Sequence, residues 1–187
     1  MSHSRLIGAF IFCGLIAGCG KNSGHVDIIS AGYTSIANGG ITVNDGTVTL
    51  HGNGAPEATI NATGDLSIGG NVLTTDAAQR EQLQHYYSSV LAVRDDGIAT
   101  GKAGAAVAGE AIKSVASGLV NGNPDQIGKQ VDAKAKVVTD AALKICQDID
   151  GIKAAQDNLA GQLPAFKPYA MIVGNGDIRE CTKDSKS

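Results

Sequence analysis

The sequence predicts an α+β fold: an N-terminal antiparallel β-meander packed on a long antiparallel α-helical hairpin, with the C-terminal tail folded back by a disulfide. Three observations carry that expectation. From Gln126 to Leu163 there is no proline, and only Gly128, Gly151 and Gly161 interrupt. Within that stretch Val131, Ala135, Val138, Ala142, Ile145, Ile149, Ile152, Gln156, Leu159 and Leu163 step by four and three in strict alternation. A 3.5-residue repeat draws one stripe along a helix that packs lengthwise on another helix. Upstream, from Gly40 to Leu73, the apolar period changes to two and turn residues recur every few positions, which is strand chemistry. Finally, Cys146 and Cys181 are an even pair well inside the chain.

Taken in order, residues 1–18 read as a leader. Arg5 is the only formal charge before residue 21, and Leu6–Ile16 is an apolar run of eleven residues. That is too short to cross a bilayer, which takes about 20, and suits the hydrophobic region of a signal peptide. Leu15-Ile16-Ala17-Gly18-Cys19 follows: a branched aliphatic, two small residues and a cysteine. It resembles the lipobox of bacterial lipoproteins. The resemblance implies that the Cys19 sulfur is acylated, that the chain is cut before it, and that the new amino group is acylated in turn. An ordinary secreted protein cut after Ala17 or Gly18 is the competing reading. Two or three acyl chains anchor durably where one does not. Gly20, rather than an aspartate, follows the cysteine. The expected address is therefore the periplasmic face of the outer membrane, with the membrane itself as the first partner.

The mature chain would have 169 residues and a formal charge of −4, since Arg5 leaves with the leader. A mildly acidic balance argues against nucleic acid as a partner. Aromatics are 4% and tryptophan is absent, which argues against a broad aromatic-lined pocket. With Cys13 removed and Cys19 acylated, Cys146 and Cys181 remain, and a pair in an oxidising compartment is expected to form one disulfide. Metal ligation would need two more ligands, and no histidine lies beyond His85.

Residues 19–39, rich in Gly, Ser and Asn, read as a flexible tether with a possible strand at Val26–Ile29. A single domain is expected over 40–181: meander 40–73, helical hairpin 76–163 and tail strand 164–181. Residues 182–187 are expected to be disordered. Asn44-Asp45-Gly46 supplies hairpin-turn chemistry between Ile41/Val43 and Val48/Leu50. Asp76 with Gln79 suits a capping box at the start of the first helix, whose buried face is Leu83, Tyr86, Val90 and Val93. Asp95-Asp96-Gly97 is a candidate break. The small residues Gly97, Gly101 and Ala105 are expected to let the two helices approach closely. A membrane glycine zipper is disfavoured by Lys102, Glu110 and Lys113. Asn121-Gly122-Asn123-Pro124 should end the helix and Asp125 cap the next. Pro168 should end the last helix before a strand at Tyr169–Val173.

Thr63-Gly64-Asp65-Leu66-Ser67-Ile68-Gly69-Gly70, then Gln79-Arg80-Glu81-Gln82-Leu83-Gln84-His85-Tyr86-Tyr87, then Cys146, Pro164-Ala165-Phe166-Lys167-Pro168-Tyr169 and Cys181 occur in this order. The order is similar to that of the YggN-like family of Gram-negative envelope proteins. That resemblance implies an exported protein and no transferable activity, because the family is one of unknown function.

No arrangement of residues forms a reaction centre. His85, Tyr86 and Tyr87 are the densest polar-aromatic cluster and the candidate binding surface. His51 with Asp45 and Asp65 is a weak metal candidate, because turn aspartates usually bond their own backbone. Glu57 and Asp65 are a formal acid pair without geometry. The function expected is a lipid-anchored periplasmic binding or structural protein with an envelope protein partner, no enzyme activity and no cofactor. Alternatives are an immunity-like protein against a wall-targeting toxin, a cell-wall-modifying enzyme, and a membrane-active helical hairpin.

Overall fold

The computed structural model describes residues 27–30, 33–121 and 124–184. The leader, Cys19 and the Gly122–Asn123 turn lie outside the described residues. Seven strands form one antiparallel meander in chain order: β1 Asp27–Ser30, β2 Tyr33–Ile36, β3 Ile41–Asn44, β4 Thr47–Leu50, β5 Ala58–Ile60, β6 Leu66–Ile68 and β7 Asn71–Val72. Two long helices follow, α1 Ala77–Asn121 and α2 Pro124–Gln162. A 3₁₀ helix, Pro164–Tyr169, and α3, Asn175–Asp184, close the chain.

Alternation makes one face of the sheet apolar. Ile36 sits across from Ile41, Val43 from Val48, Leu50 from Ala58 and Ile60 from Leu66, and all eight are buried. The β3–β4 turn works as expected: Asp45 and Gly46 both have positive φ, 46° and 75°, the twist-matching two-residue hairpin. Such a thin sheet is not stable without a cover on its apolar face.

The cover is α1, which runs across the strands along one end of the sheet. At its N-terminus Asp76 and Gln79 cap each other reciprocally, each backbone N–H donating to the other's side chain. One turn on, Arg80 pairs with Asp65 at 2.8 Å and Gln84 donates to the Thr63 carbonyl, both on the β5–β6 loop. Tyr87 then donates to the Gly46 carbonyl in the β3–β4 turn, and further along α1 meets β1. The spacing has a simple cause. Seven helical residues advance about 10 Å, and two strands of a sheet span nearly the same distance. Each heptad of α1 therefore meets one hairpin, and Leu83, Tyr86, Val90 and Val93 form the buried seam.

α2 returns antiparallel to α1 and buries Ile149, Ile152, Gln156 and Leu159; with Leu163, buried just past its end, these are the proximal half of the predicted stripe. Tyr86, Phe166 and Tyr169 stack in the core, with ring centroids 5.8 and 5.7 Å apart. Cys146 and Cys181 form the disulfide, with Cα atoms 5.7 Å apart, and it fastens α3 to α2.

Four expectations need correction. The sheet does not begin at Gly40: β1 overlaps the possible strand at Val26–Ile29, and β2 falls inside the stretch read as tether, with Thr34 and Ile36 buried. Asn38 and Gly39 belong to the β2–β3 turn. Asp95-Asp96-Gly97 does not break α1, because Lys144 of α2 pairs with Asp96 and Gly97 is buried against the fold. The tail is helical, not a strand. Pro164 and Pro168 fix φ near helical values, and Gln156 holds the following turn. The Gln156 amide is fully buried, donates to the Ala170 and Val173 carbonyls at 2.6 and 2.9 Å, and accepts from the Val173 N–H at 3.1 Å. The ordered tail also extends to Asp184, past the residue at which disorder was expected. Replacing Gln156 by Met should lower stability by about 2–3 kcal/mol, because three buried backbone groups lose their partner. Urea denaturation with the disulfide intact measures it.

Candidate functional site

The predicted surface of His85, Tyr86 and Tyr87 does not form. His85 is exposed, Tyr87 is engaged with Gly46, and Tyr86 is fully buried. Burial pushes the Tyr86 hydroxyl well above the ordinary phenol range, and its oxygen has no hydrogen-bond partner among the described residues. An unpaired buried hydroxyl costs stability. Tyr86→Phe should therefore leave stability unchanged or raise it by about 1 kcal/mol, read as the shift in thermal midpoint.

The motif stretches that carried the family resemblance meet in space as structural parts. Asn61 folds the β5–β6 loop: its Oδ1 accepts from the Thr63 and Asp65 backbone N–H groups and from the Thr63 hydroxyl. Gly64 has φ +75°, and a Cβ there would stand 2.7 Å from the Arg80 carbonyl. Only glycine lets this loop sit so close to α1. Hydrogen bonds from Thr63 and Asn61, then Arg80, hold the Asp65 carboxyl below its usual range. With the folded value depressed, Asp65 stabilises the fold above the unfolded value near 3.8 and ceases to do so as pH falls through the depressed one. Asp65→Asn should flatten the acid limb of the melting-temperature profile below about pH 4.

Asp96, Lys144 and Asp148 form a second charged cluster on the α1–α2 seam. Lys144 pairs with Asp96, pulling that carboxyl below its ordinary value, whereas burial raises Asp148, whose Oδ2 is 3.8 Å from the Lys144 amine. The two carboxylates are pushed apart, as an acid–base pair would be. They stand on the helix seam near the edge of the sheet, where they close the hairpin.

The concave and open surfaces lie instead at the far end and the outer face of the sheet. A cleft of about 480 Å³ is bordered by the β2–β3 turn, His51, Asn53, Pro168, Met171 and Ile172. The turn holds Ala37, Asn38 and Gly39 all at positive φ, 53°, 55° and 85°. Two consecutive non-glycine residues in that region are strained, and such strain gathers at functional sites. Met171 is 81% exposed beside it. Neither feature has a strong signal in the sequence. Ala37 is an unusual residue for a left-handed position, and Met171 becomes a cleft wall only when the tail folds back.

His51 joins this cleft to the outer face. Its Nδ1 is 3.3 Å from Glu57 and its Nε2 is 3.2 Å from the Thr42 hydroxyl. The predicted metal group of His51, Asp45 and Asp65 is not assembled: Asp45 sits in the turn at the opposite end of the strands and Asp65 is bound to Arg80. Glu57 and Asp65 likewise lie on different ends of β5–β6 and do not face each other as an acid pair. Among the described residues no cluster of three or more His, Cys, Asp or Glu side chains could hold a metal ion.

The fold thus defines an α+β domain in which a β-meander lies on a disulfide-fastened helical hairpin. Residues 36–126, from the end of β2 into α2, are similar to a family described as a protein of unknown function, DUF2884. No curated protein and no solved structure matches the chain.

Proposed function

We propose that the protein is a lipid-anchored binding module of the bacterial envelope, held at the periplasmic face of the outer membrane by Cys19, that engages its partners without catalysing a reaction. The observation that carries the binding role is the overhang of the hairpin. From residue 98 to Gly109 no residue of α1 is fully buried, and the helix continues to Asn121, about 36 Å past Gly97 at 1.5 Å per residue. Gly101, Gly104 and Gly109 face open space, so these glycines are not the seam through which α1 approaches α2. A helical hairpin that extends past the sheet has outer faces that the sheet does not cover, which suits a partner.

The anchor is supported by the lipobox residues Leu15–Cys19 and by the Cys146–Cys181 disulfide, which suits an oxidising compartment. Among the described residues no helix is long and apolar enough to cross a membrane. Only residues 20–26 separate Cys19 from β1, a reach of at most about 25 Å. The sheet edge and the base of the arm would therefore stand close to the bilayer.

Expression of the full gene in a Gram-negative host should give a mature chain starting at acylated Cys19 in the outer-membrane fraction. Cys19→Ser should abolish the acyl mass and the membrane association. A wild-type chain found free in the periplasmic extract without acyl mass would sink the anchor. Envelope pull-downs with the acylated protein, with and without the 98–144 arm, test the partner.

A further inference from the structure

Asp96, Lys144 and Asp148 stand where the hairpin leaves the sheet, and their hydrogen bonding does not close. The Lys144 amine donates to Asp96 across the seam, but it is 3.8 Å from Asp148 Oδ2, one turn along α2, too far for a hydrogen bond. That oxygen is buried and has no donor among the described residues. One turn beyond Asp96, the Thr100 hydroxyl is likewise buried without a partner among them. The two carboxylates are sheltered, 22% and 24% exposed, whereas the lysine is 59% exposed and its charge is partly screened by water. Two sheltered anions thus face one cation that is bonded to only one of them. Asp96 lies within hydrogen-bonding reach of Asp148, and an ionised carboxylate can only accept. The mismatch disappears when Asp148 holds a proton: its neutral carboxyl then donates to Asp96, which accepts from Lys144 as well.

We infer that Asp96 and Asp148 form a proton-operated clasp at the base of the arm: one shared proton fastens α1 to α2, and its loss loosens them. On release the O–H bond of Asp148 breaks, the electron pair stays on the carboxylate and the proton passes to solvent. Burial, then the bond to Asp96, raises Asp148, while the bond from Lys144 holds Asp96 low. Among the described residues no charge besides Lys144 and the opposing carboxyl shifts either group. Arg94 and Asp95, beside Asp96 on α1, pair with each other. The other charged residues on the elements packed here are Asp27 of β1, which meets α1, and Arg179, Glu180 and Lys183 of α3, which the disulfide fastens to α2. The sign follows from linkage. Asp148 holds its proton more tightly in the folded state, so the clasp strengthens as pH falls through the raised value toward the unfolded value of 3.8. Below 3.8 the depressed Asp96 protonates in its turn and the clasp weakens. The hold is therefore firmest in mild acid and looser at neutral pH, and the two carboxyls titrate as a pair. The inference goes beyond the binding reading, because neither the anchor nor a partner is needed to test it.

The test uses the full-length protein in detergent micelles between about pH 4 and pH 8, the span over which a raised carboxyl titrates. In wild type the side-chain carboxyl carbon resonances should show Asp148 titrating above the exposed Asp150, and Asp96 below it. Amide exchange in the helical turns around Asp96 and Asp148, corrected for its intrinsic pH dependence, should slow as the pair takes up its proton. Asp148→Asn mimics the protonated carboxyl, since its amide can donate to Asp96 at every pH. It should melt about 2–4 °C above wild type at pH 7, and the difference should vanish toward pH 4. Asp27→Asn should leave the wild-type profile unchanged. Asp148 titrating together with Asp150, exchange indifferent to the pair's protonation, or an Asp148→Asn variant no more stable than wild type at pH 7 would each overturn the inference. So would a profile that follows Asp27 instead. Where the variant does not fold, the wild-type resonances and exchange decide alone.

Discussion

A near-commensurate pair of lengths organises the molecule. One heptad of helix and one β-hairpin advance by almost the same distance, so a helix laid across a meander can give every hairpin an equivalent set of side chains. α1 uses that match three times, at the β5–β6 loop, at the β3–β4 turn and at β1. Without it a sheet of strands two to four residues long would have no continuous apolar cover. The β-half and the α-half are therefore one cooperative unit, and the strand count sets how far along α1 the packing runs.

Where the strands end, the two helices leave the core. The charged cluster of Asp96, Lys144 and Asp148 sits at that boundary, and beyond it Gly101, Gly104 and Gly109 face open space. The same edge carries β1, so the first described strand and the start of the arm share one side of the fold. The outer face of the sheet and the cleft next to His51 remain accessible on the other surfaces. The helices and the disulfide stabilise the scaffold.

Local and periodic features were legible in the sequence. The capping pair Asp76 and Gln79, the Asp45-Gly46 turn, the α1 seam from Leu83 to Val93 and the stripe from Ile149 to Leu163 all follow from preferences that act within a few residues. Errors arose where local composition and distant contact disagreed. Tyr33–Ile36 sits among Gly, Ser and Asn residues, yet pairing with β3 makes it a strand. Tyr169–Val173 has strand-like residues, yet a buried glutamine 17 positions before Val173 holds it in a turn. Asp95-Asp96-Gly97 looks like a stop, and an ion pair from the other helix, together with burial of Gly97, keeps it helical. Of the candidate surface residues, Tyr86 was placed correctly as core, which removes it from any surface.

By itself the sequence determined the class of fold, the heptad and dyad periods, the disulfide partners and the residues of the proposed lipid anchor. Those properties are written in spacing and side-chain type, which do not depend on what the rest of the chain does. The tertiary structure alone decided that Asp96, Lys144 and Asp148 meet on one seam, that Met171 and His51 share a cleft, and that the hairpin overhangs the sheet. Each depends on register between segments far apart in the chain. A shift of one residue in any strand pair would turn its buried side chains to the other face.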